Sequence, residues 1–224
     1  MKLTENLSLN RYEWAGKKIA EICRGYTQTK KTDLFDIGSR DNVLKQYINL
    51  GEVNYKAFDL DPIDPEAQVW NIEDPFPYHH QSPQIISLLE VVEHLNNPWL
   101  SVKNLANVIE PGGYLILTTP NPAWSTSRLN MLINGFLTCF TINDLNVNHH
   151  VFIPYQHILE KLLSDNNFEI VEYVTLDGDT KLFNKDLKFS SFLLQLPARV
   201  VKKAIEKRDA TSKGMSYGII ARKI

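Results

Sequence analysis

Residues 33–61, DLFDIGSRDNVLKQYINLGEVNYKAFDLD, decide the fold. Leu34, Phe35 and Ile37 make an apolar run of strand length, which Gly38 and Ser39 break. Asp41-Asn42 reads as an N-cap, and Val43, Leu44, Tyr47 and Ile48 then repeat at the spacing of one helix face. Val53, Tyr55, Ala57 and Phe58 form a second strand that closes on Asp59 and Asp61. This is a βαβ unit whose first turn lets a ligand approach the backbone. In such units a carboxylate at the tip of the second strand accepts hydrogen bonds from ribose hydroxyls, while the turn and helix N-terminus cradle the rest. A nucleoside-containing cofactor is the first expectation. The loop Gly-Ser-Arg-Asp-Asn lacks the G-x-G-x-x-G of a dinucleotide fingerprint, so from these residues alone a purely structural βαβ unit reads as well.

The rest of the chain supplies what such a unit needs around it. Residues 8–26 carry Leu9, Tyr12, Trp14, Ile19, Ile22 and Cys23 at helical spacing. Val69-Trp70-Asn71-Ile72 suggests a short third strand. Gln84–Glu90 is an apolar run without alternation, as in a central strand covered on both faces. Pro98 opens a helix through Glu110, Pro111-Gly112-Gly113 ends it, and Tyr114–Thr119 is a fifth strand stopped by Pro120. Leu129, Met131, Leu132, Ile133, Phe136 and Leu137 predict a short helix over the strand tips. Pro154–Asn166 predicts another, followed by strands over Phe168–Leu176 and Met215–Lys223. Strands alternating with helices argue for a three-layer α/β sheet.

Bulk properties exclude several classes. The 224 residues suit one domain, 43% apolar and 22% charged, which is ordinary for a soluble protein. A net charge of −2 gives no overall basic field for nucleic acid. Cys23 and Cys139 show neither metal spacing nor a disulfide framework, and read as reduced thiols. The start MKLTENLSLN is not a signal pattern, and no apolar run reaches ~18 residues, so a cytoplasmic protein is expected.

The segments FDIGSRD, AFDLD, WNIEDPFP, SLLEVVEHLNNP and IEPGGYLILTTPNP, in that order over residues 33–122, resemble the class I S-adenosylmethionine-dependent methyltransferases. The similarity is to the UbiE/UbiG-like small-molecule branch, with weaker agreement at HHVFIPYQHILEKLLSDNNFEI. The resemblance implies a Rossmann-like, seven-stranded, mostly parallel sheet with an antiparallel last strand. It also implies S-adenosylmethionine as methyl donor (S-adenosylhomocysteine as product), lying across the C-terminal edge of the sheet. By position, Asp36, Gly38, Ser39 and Arg40 form the first motif, with Asp36 near the methionine amino group. Asp59 would take the ribose hydroxyls, Leu60 and Ile72 the adenine faces, and Asn71 the adenine amino group. Leu89 and Glu90 would line the methionine end. The family loop usually holds two or three glycines where only Gly38 stands here. Asn, the next-best residue for positive φ, follows at 42.

On this reading residues 1–224 are a single methyltransferase domain, with an N-terminal helix in 1–30, a substrate-covering segment at 123–150 and an insertion at 177–213 before the last strand. The acceptor is a small molecule, methylated more readily at oxygen than nitrogen. A base within reach would help an oxygen acceptor, and His94 and His150 are the catalytic candidates, with Glu93 and His149 beside them. Glu93 and His94 read equally as braces for a helix start. The histidine pair lacks further ligands at metal spacing, so no metal is expected. Trp124 and Phe136 offer pocket walls or plain packing. In the insertion, Phe189, Phe192, Leu193, Leu194 and Leu196 form an apolar block, and Arg199, Lys202, Lys203, Lys207 and Arg208 a basic one. A helix packed on the domain or on a homodimer partner is favoured there over membrane contact. The rival functions are a cofactor-binding scaffold without turnover and, from the first βαβ unit alone, a nicotinamide-dependent oxidoreductase.

Overall fold

The computed structural model describes residues 2–26, 30–78, 81–178 and 189–224, with the backbone only for Lys2 and residues 189–197. One sheet carries the fold. Its strands are β1 (Lys2–Asn6), β2 (Thr32–Ile37), β3 (Val53–Asp59), β4 (Gln68–Val69), β5 (Ile85–Leu89), β6 (Tyr114–Pro120), β7 (Phe168–Gly178) and β8 (Gly214–Lys223). Their order across the sheet is β1-β7-β8-β6-β5-β2-β3-β4. Strand β8 runs against β6 and β7, and every other pairing is parallel. The expected architecture is therefore present, with an eighth strand added at the edge. Lys2–Asn6 pairs with β7 rather than continuing the N-terminal helix.

Burial explains the layers. Ile85–Leu89 is buried at every position, as an unalternating central strand must be. Helix α1 (Arg11–Cys23) covers one face with Trp14, Ala15 and Ile19 against Leu34, Ile85 and Ile116. Asn10 caps it, accepting from the main-chain N–H groups of Tyr12 and Glu13, while Glu13 returns to the Asn10 N–H. Helices α2 (Pro98–Val108) and α4 (Gln156–Asp165) cover the other face with Val102, Leu105, Leu159 and Leu162, packed on Phe35, Ile86 and Leu117.

Two local expectations come out differently. The helix expected after Asp41-Asn42 is a single tight turn, Val43–Tyr47, because Asn42 holds φ 55 and its side chain makes no capping bond. Helix α3 (Ser125–Asn134) forms over the strand tips, but buries Ser125 and Ser127 while Met131, Leu132 and Ile133 stay 51%, 81% and 71% exposed. Three consecutive apolar residues, about 100° apart around a helix, cannot share one face. Helix α5 (Phe189–Arg208) takes up much of the 177–213 insertion and packs on α3 through Ser125–Glu206 and Arg128–Asp209. Residues 179–188 and the side chains of the apolar block at 189–196 lie outside the described residues. No helix among the described residues is long and apolar enough to cross a membrane.

Candidate active site

The chain reverses its progression across the sheet at β2, which lies between β5 and β3. A cleft of ≈ 680 Å³ opens there, at the C-terminal ends of those strands, where open α/β sheets place their ligands. Every residue expected to bind the cofactor lines it: Asp36, Gly38, Ser39, Arg40, Asp59, Leu60, Asn71, Ile72, Leu89 and Glu90.

The loop after β2 is folded by its main chain. The N–H groups of Gly38 and Ser39 both donate to the Phe58 carbonyl, at 2.8 and 3.2 Å. Gly38 sits at φ 72, and a Cβ there would meet Val91 Cγ2 at 2.3 Å, so no other residue fits without displacement. Arg40 and Asn42 also adopt positive φ, 45° and 55°. The loop thus keeps a glycine-type path with non-glycine residues, at a cost in strain. Asn42 offsets part of that cost by donating to Asp64.

At the tip of β3, Asp59 accepts from the Arg40 N–H (2.8 Å) on one oxygen and the Asp61 N–H (2.9 Å) on the other. Both oxygens are aimed by backbone and keep lone pairs towards the cleft. Leu60 is 68% exposed beside it, an uncovered apolar surface in the cleft wall. Asn71 Oδ1 accepts from the Glu73 N–H at 3.1 Å. Two buried polar atoms of cleft residues, Ser39 Oγ and Glu90 Oε1, find no hydrogen-bond partner among the described residues.

Asp36 behaves differently. Its oxygens accept the hydroxyls of Tyr55 (2.6 Å) and Ser87 (2.7 Å), and little of the residue is exposed. Burial pushes its carboxyl up to about 6, against the pull of those two hydroxyls. A raised native value means that the retained proton stabilises the fold below the unfolded value near 3.8, and that this contribution is lost as pH rises through about 6. Asp36→Asn has no such loss. Its stability relative to the unsubstituted protein is therefore expected to grow by about 2.4 kcal/mol between pH 4 and pH 8. Urea midpoints at the two pH values check this, and a pH-independent difference counts against it.

After β5, Glu90 holds φ 57 and pairs with Arg11 of α1 at 3.5 Å, and Arg11 lies 3.9 Å from Asp177. Arg11, and Tyr12 in the cleft wall, are contributions that periodicity did not mark, since α1 reads only as an amphipathic helix. Beyond them, Glu93 and His94 lie in the turn Val92–His94 after β5. The N–H groups of Val151 and Phe152 both donate to the Glu93 carbonyl, at 2.9 and 3.0 Å, which brings His150 against His94. The two rings meet edge to face with centroids 4.8 Å apart. Glu93 is buried and accepts from the Thr119 hydroxyl at 2.9 Å. Burial, and after it the neighbouring Glu90, holds its carboxyl well above the usual range. Burial followed by His150 lowers the His94 imidazole. His149 instead turns outward at φ 56, a distinction between adjacent histidines that the sequence did not make. Trp124 is buried beneath Lys202 and Phe136 is half-exposed, and neither lines the cleft.

A family described as "Methyltransferase domain" matches residues 11–173. No curated protein matches the sequence. Among solved structures, an S-adenosylmethionine-dependent methyltransferase from Archaeoglobus fulgidus superposes with a TM-score of 0.59 at 19% identity, over 95% of this chain and 94% of that one. A second from Methanosarcina mazei gives 0.56 at 17% identity, over 91% and 97%. The plantazolicin methyltransferase BamL, solved with a desmethyl plantazolicin analogue and S-adenosylhomocysteine, gives 0.58 at 11% identity, over 95% and 84%. Identities this low establish the shared fold.

Proposed function

The chain belongs to the methyltransferase domain family, and we propose that it moves the methyl group of S-adenosylmethionine to an oxygen of a small-molecule acceptor. The observation that carries the reading is Asp59, a carboxylate set by two main-chain donors at a strand tip and facing a cleft of ≈ 680 Å³. The residues present fit the donor. Asp59 suits the two ribose hydroxyls, Leu60 and Ile72 the adenine faces, and Asn71 the adenine amino group. Gly38, Ser39 and Arg40 form the loop beneath, with the partnerless Ser39 Oγ available to the ligand. Asp36, Leu89 and the partnerless Glu90 oxygen bound the end where an ammonium group is accommodated.

When bound, S-adenosylmethionine supplies a sulfonium methyl group, so the chain's own task is mainly positioning and proton removal. His94 and His150 serve the second task. They stand beside the cleft, and the lowered His94 leaves its imidazole neutral and able to accept a proton at neutral pH. An oxygen acceptor is favoured because a hydroxyl needs that assistance more than a neutral amine does. The UbiE/UbiG-like branch, a cytoplasmic location, the single-domain division with 123–150 covering the acceptor, and a 177–213 insertion packed on the domain or on a homodimer partner rather than on a membrane belong to the same proposal.

Calorimetry with S-adenosylhomocysteine, followed by transfer of labelled methyl to a panel of small hydroxylated molecules, tests it. Micromolar binding and label in product are expected. Binding without transfer to any acceptor favours a scaffold, and tryptophan quenching by NADH but not by S-adenosylhomocysteine favours an oxidoreductase.

A further inference from the structure

We propose that Glu93, His94 and His150 form a site for a divalent cation of the first transition row, at the acceptor side of the methyl-donor cleft. The proposal rests on the methyltransferase reading above and deepens it, because the cation would hold the acceptor oxygen that the histidines alone would otherwise deprotonate.

Convergence is the first argument. One ligand atom from each of the three residues lies within 4.8 Å of the others. Three ligands on one ion at about 2.0–2.2 Å stand ~3.3–3.7 Å apart, so side-chain rotations of about an ångström close the set. The backbone holds it in place, since residues 151 and 152 hydrogen-bond to the carbonyl of Glu93 itself. The second is ring orientation. His150 Nδ1–H donates to the Cys139 carbonyl at 2.5 Å, which leaves Nε2 with its lone pair. A main-chain carbonyl behind an imidazole is the outer-shell arrangement that orients metal-binding histidines.

Charge is the third. The Glu93 side chain is buried, accepts one hydroxyl, and makes no ion pair among the described residues. A buried acid with no cation against it keeps its proton, and a bound cation would take that proton's place. A general base needs one histidine. It leaves the second ring and the buried carboxylate unexplained, whereas a cation uses all three. Two imidazoles and one carboxylate suit iron, cobalt or zinc better than magnesium or calcium, and three protein ligands leave positions open for water or substrate. An acceptor hydroxyl bound there would release its proton to water and keep its electron pair on oxygen, ready for the methyl group.

The full chain, treated with chelator and dialysed, is titrated with CoCl₂ by calorimetry and visible absorption, and separately with S-adenosylhomocysteine. One Co²⁺ per chain at micromolar affinity, with ligand-field bands, is expected. His150→Ala should weaken it at least ~100-fold while binding S-adenosylhomocysteine as before. His150 is the variant of choice because Glu93 is buried and its replacement endangers the fold. No Co²⁺ binding, or binding that survives His150→Ala, overturns the cation site. S-adenosylhomocysteine bound without Co²⁺ removes this inference and leaves the methyltransferase reading standing. Co²⁺ bound without S-adenosylhomocysteine does the reverse.

Discussion

Asp59→Ala is expected to weaken S-adenosylhomocysteine binding by 100-fold or more, with the sheet intact. The carboxylate can accept two hydrogen bonds from ribose hydroxyls, and each bond to a charged acceptor contributes about 1.5–3 kcal/mol. Two lost together correspond to about 3–6 kcal/mol, and each 1.4 kcal/mol is tenfold in affinity. Substitution also deprives the Arg40 and Asp61 N–H groups of their acceptor, so the loop that cradles the ligand loosens. Asp59→Asn separates the two effects. It keeps one acceptor oxygen and should lose less affinity than the alanine variant. Calorimetry on both variants, with circular dichroism to show the fold, decides the matter. Affinity unchanged in Asp59→Ala would mean that the ligand lies elsewhere.

The second large effect concerns turnover. His94→Ala and His150→Ala should each lower the single-turnover rate by ~10²–10⁴, the usual worth of proton-transfer assistance at a reacting oxygen, while leaving S-adenosylhomocysteine affinity within about threefold. Because the rings are in contact, 4.8 Å between centroids, the double substitution should cost little more than the worse single one. Additive losses would show two independent roles. Unchanged rates in both single variants, measured with an acceptor that takes labelled methyl, would remove the pair from the chemistry. His149→Ala is the comparison of choice, since that ring points outward next in the chain and its loss should leave the rate nearly unchanged.

The scarcity of glycine in the loop after β2 also has a physical reason. Gly38 is required by φ 72 and by Val91 at its back. Arg40 and Asn42 occupy positive φ at some cost, and the hydrogen bonds of the Arg40 N–H to Asp59 and of the Asn42 side chain to Asp64 hold them there. A ligand without a pyrophosphate does not need the close backbone approach that the missing glycines provide elsewhere.

The order of apolar runs, the turn at Gly38 and the acidic tip at Asp59 determined the layered parallel sheet and the place of the cleft, while Asn71, Ile72, Leu89 and Glu90 entered its lining through the family resemblance of residues 33–122. Each depends on near neighbours in the chain: whether a run is buried on one face or two, where a turn interrupts it, which residue ends it. Tertiary structure alone decided the rest. Lys2–Asn6 is a strand because β7 offers it an edge. Arg11 meets Glu90 because α1 crosses the end of β5. Helix α3 turns Ser125 inward because Glu206 of α5 accepts its hydroxyl. Glu93, His94 and His150 converge because the chain returns after α3 and fastens its main chain to Glu93. Such meetings depend on long loop closures and on which partner is already in place, and no spacing within a local window records them.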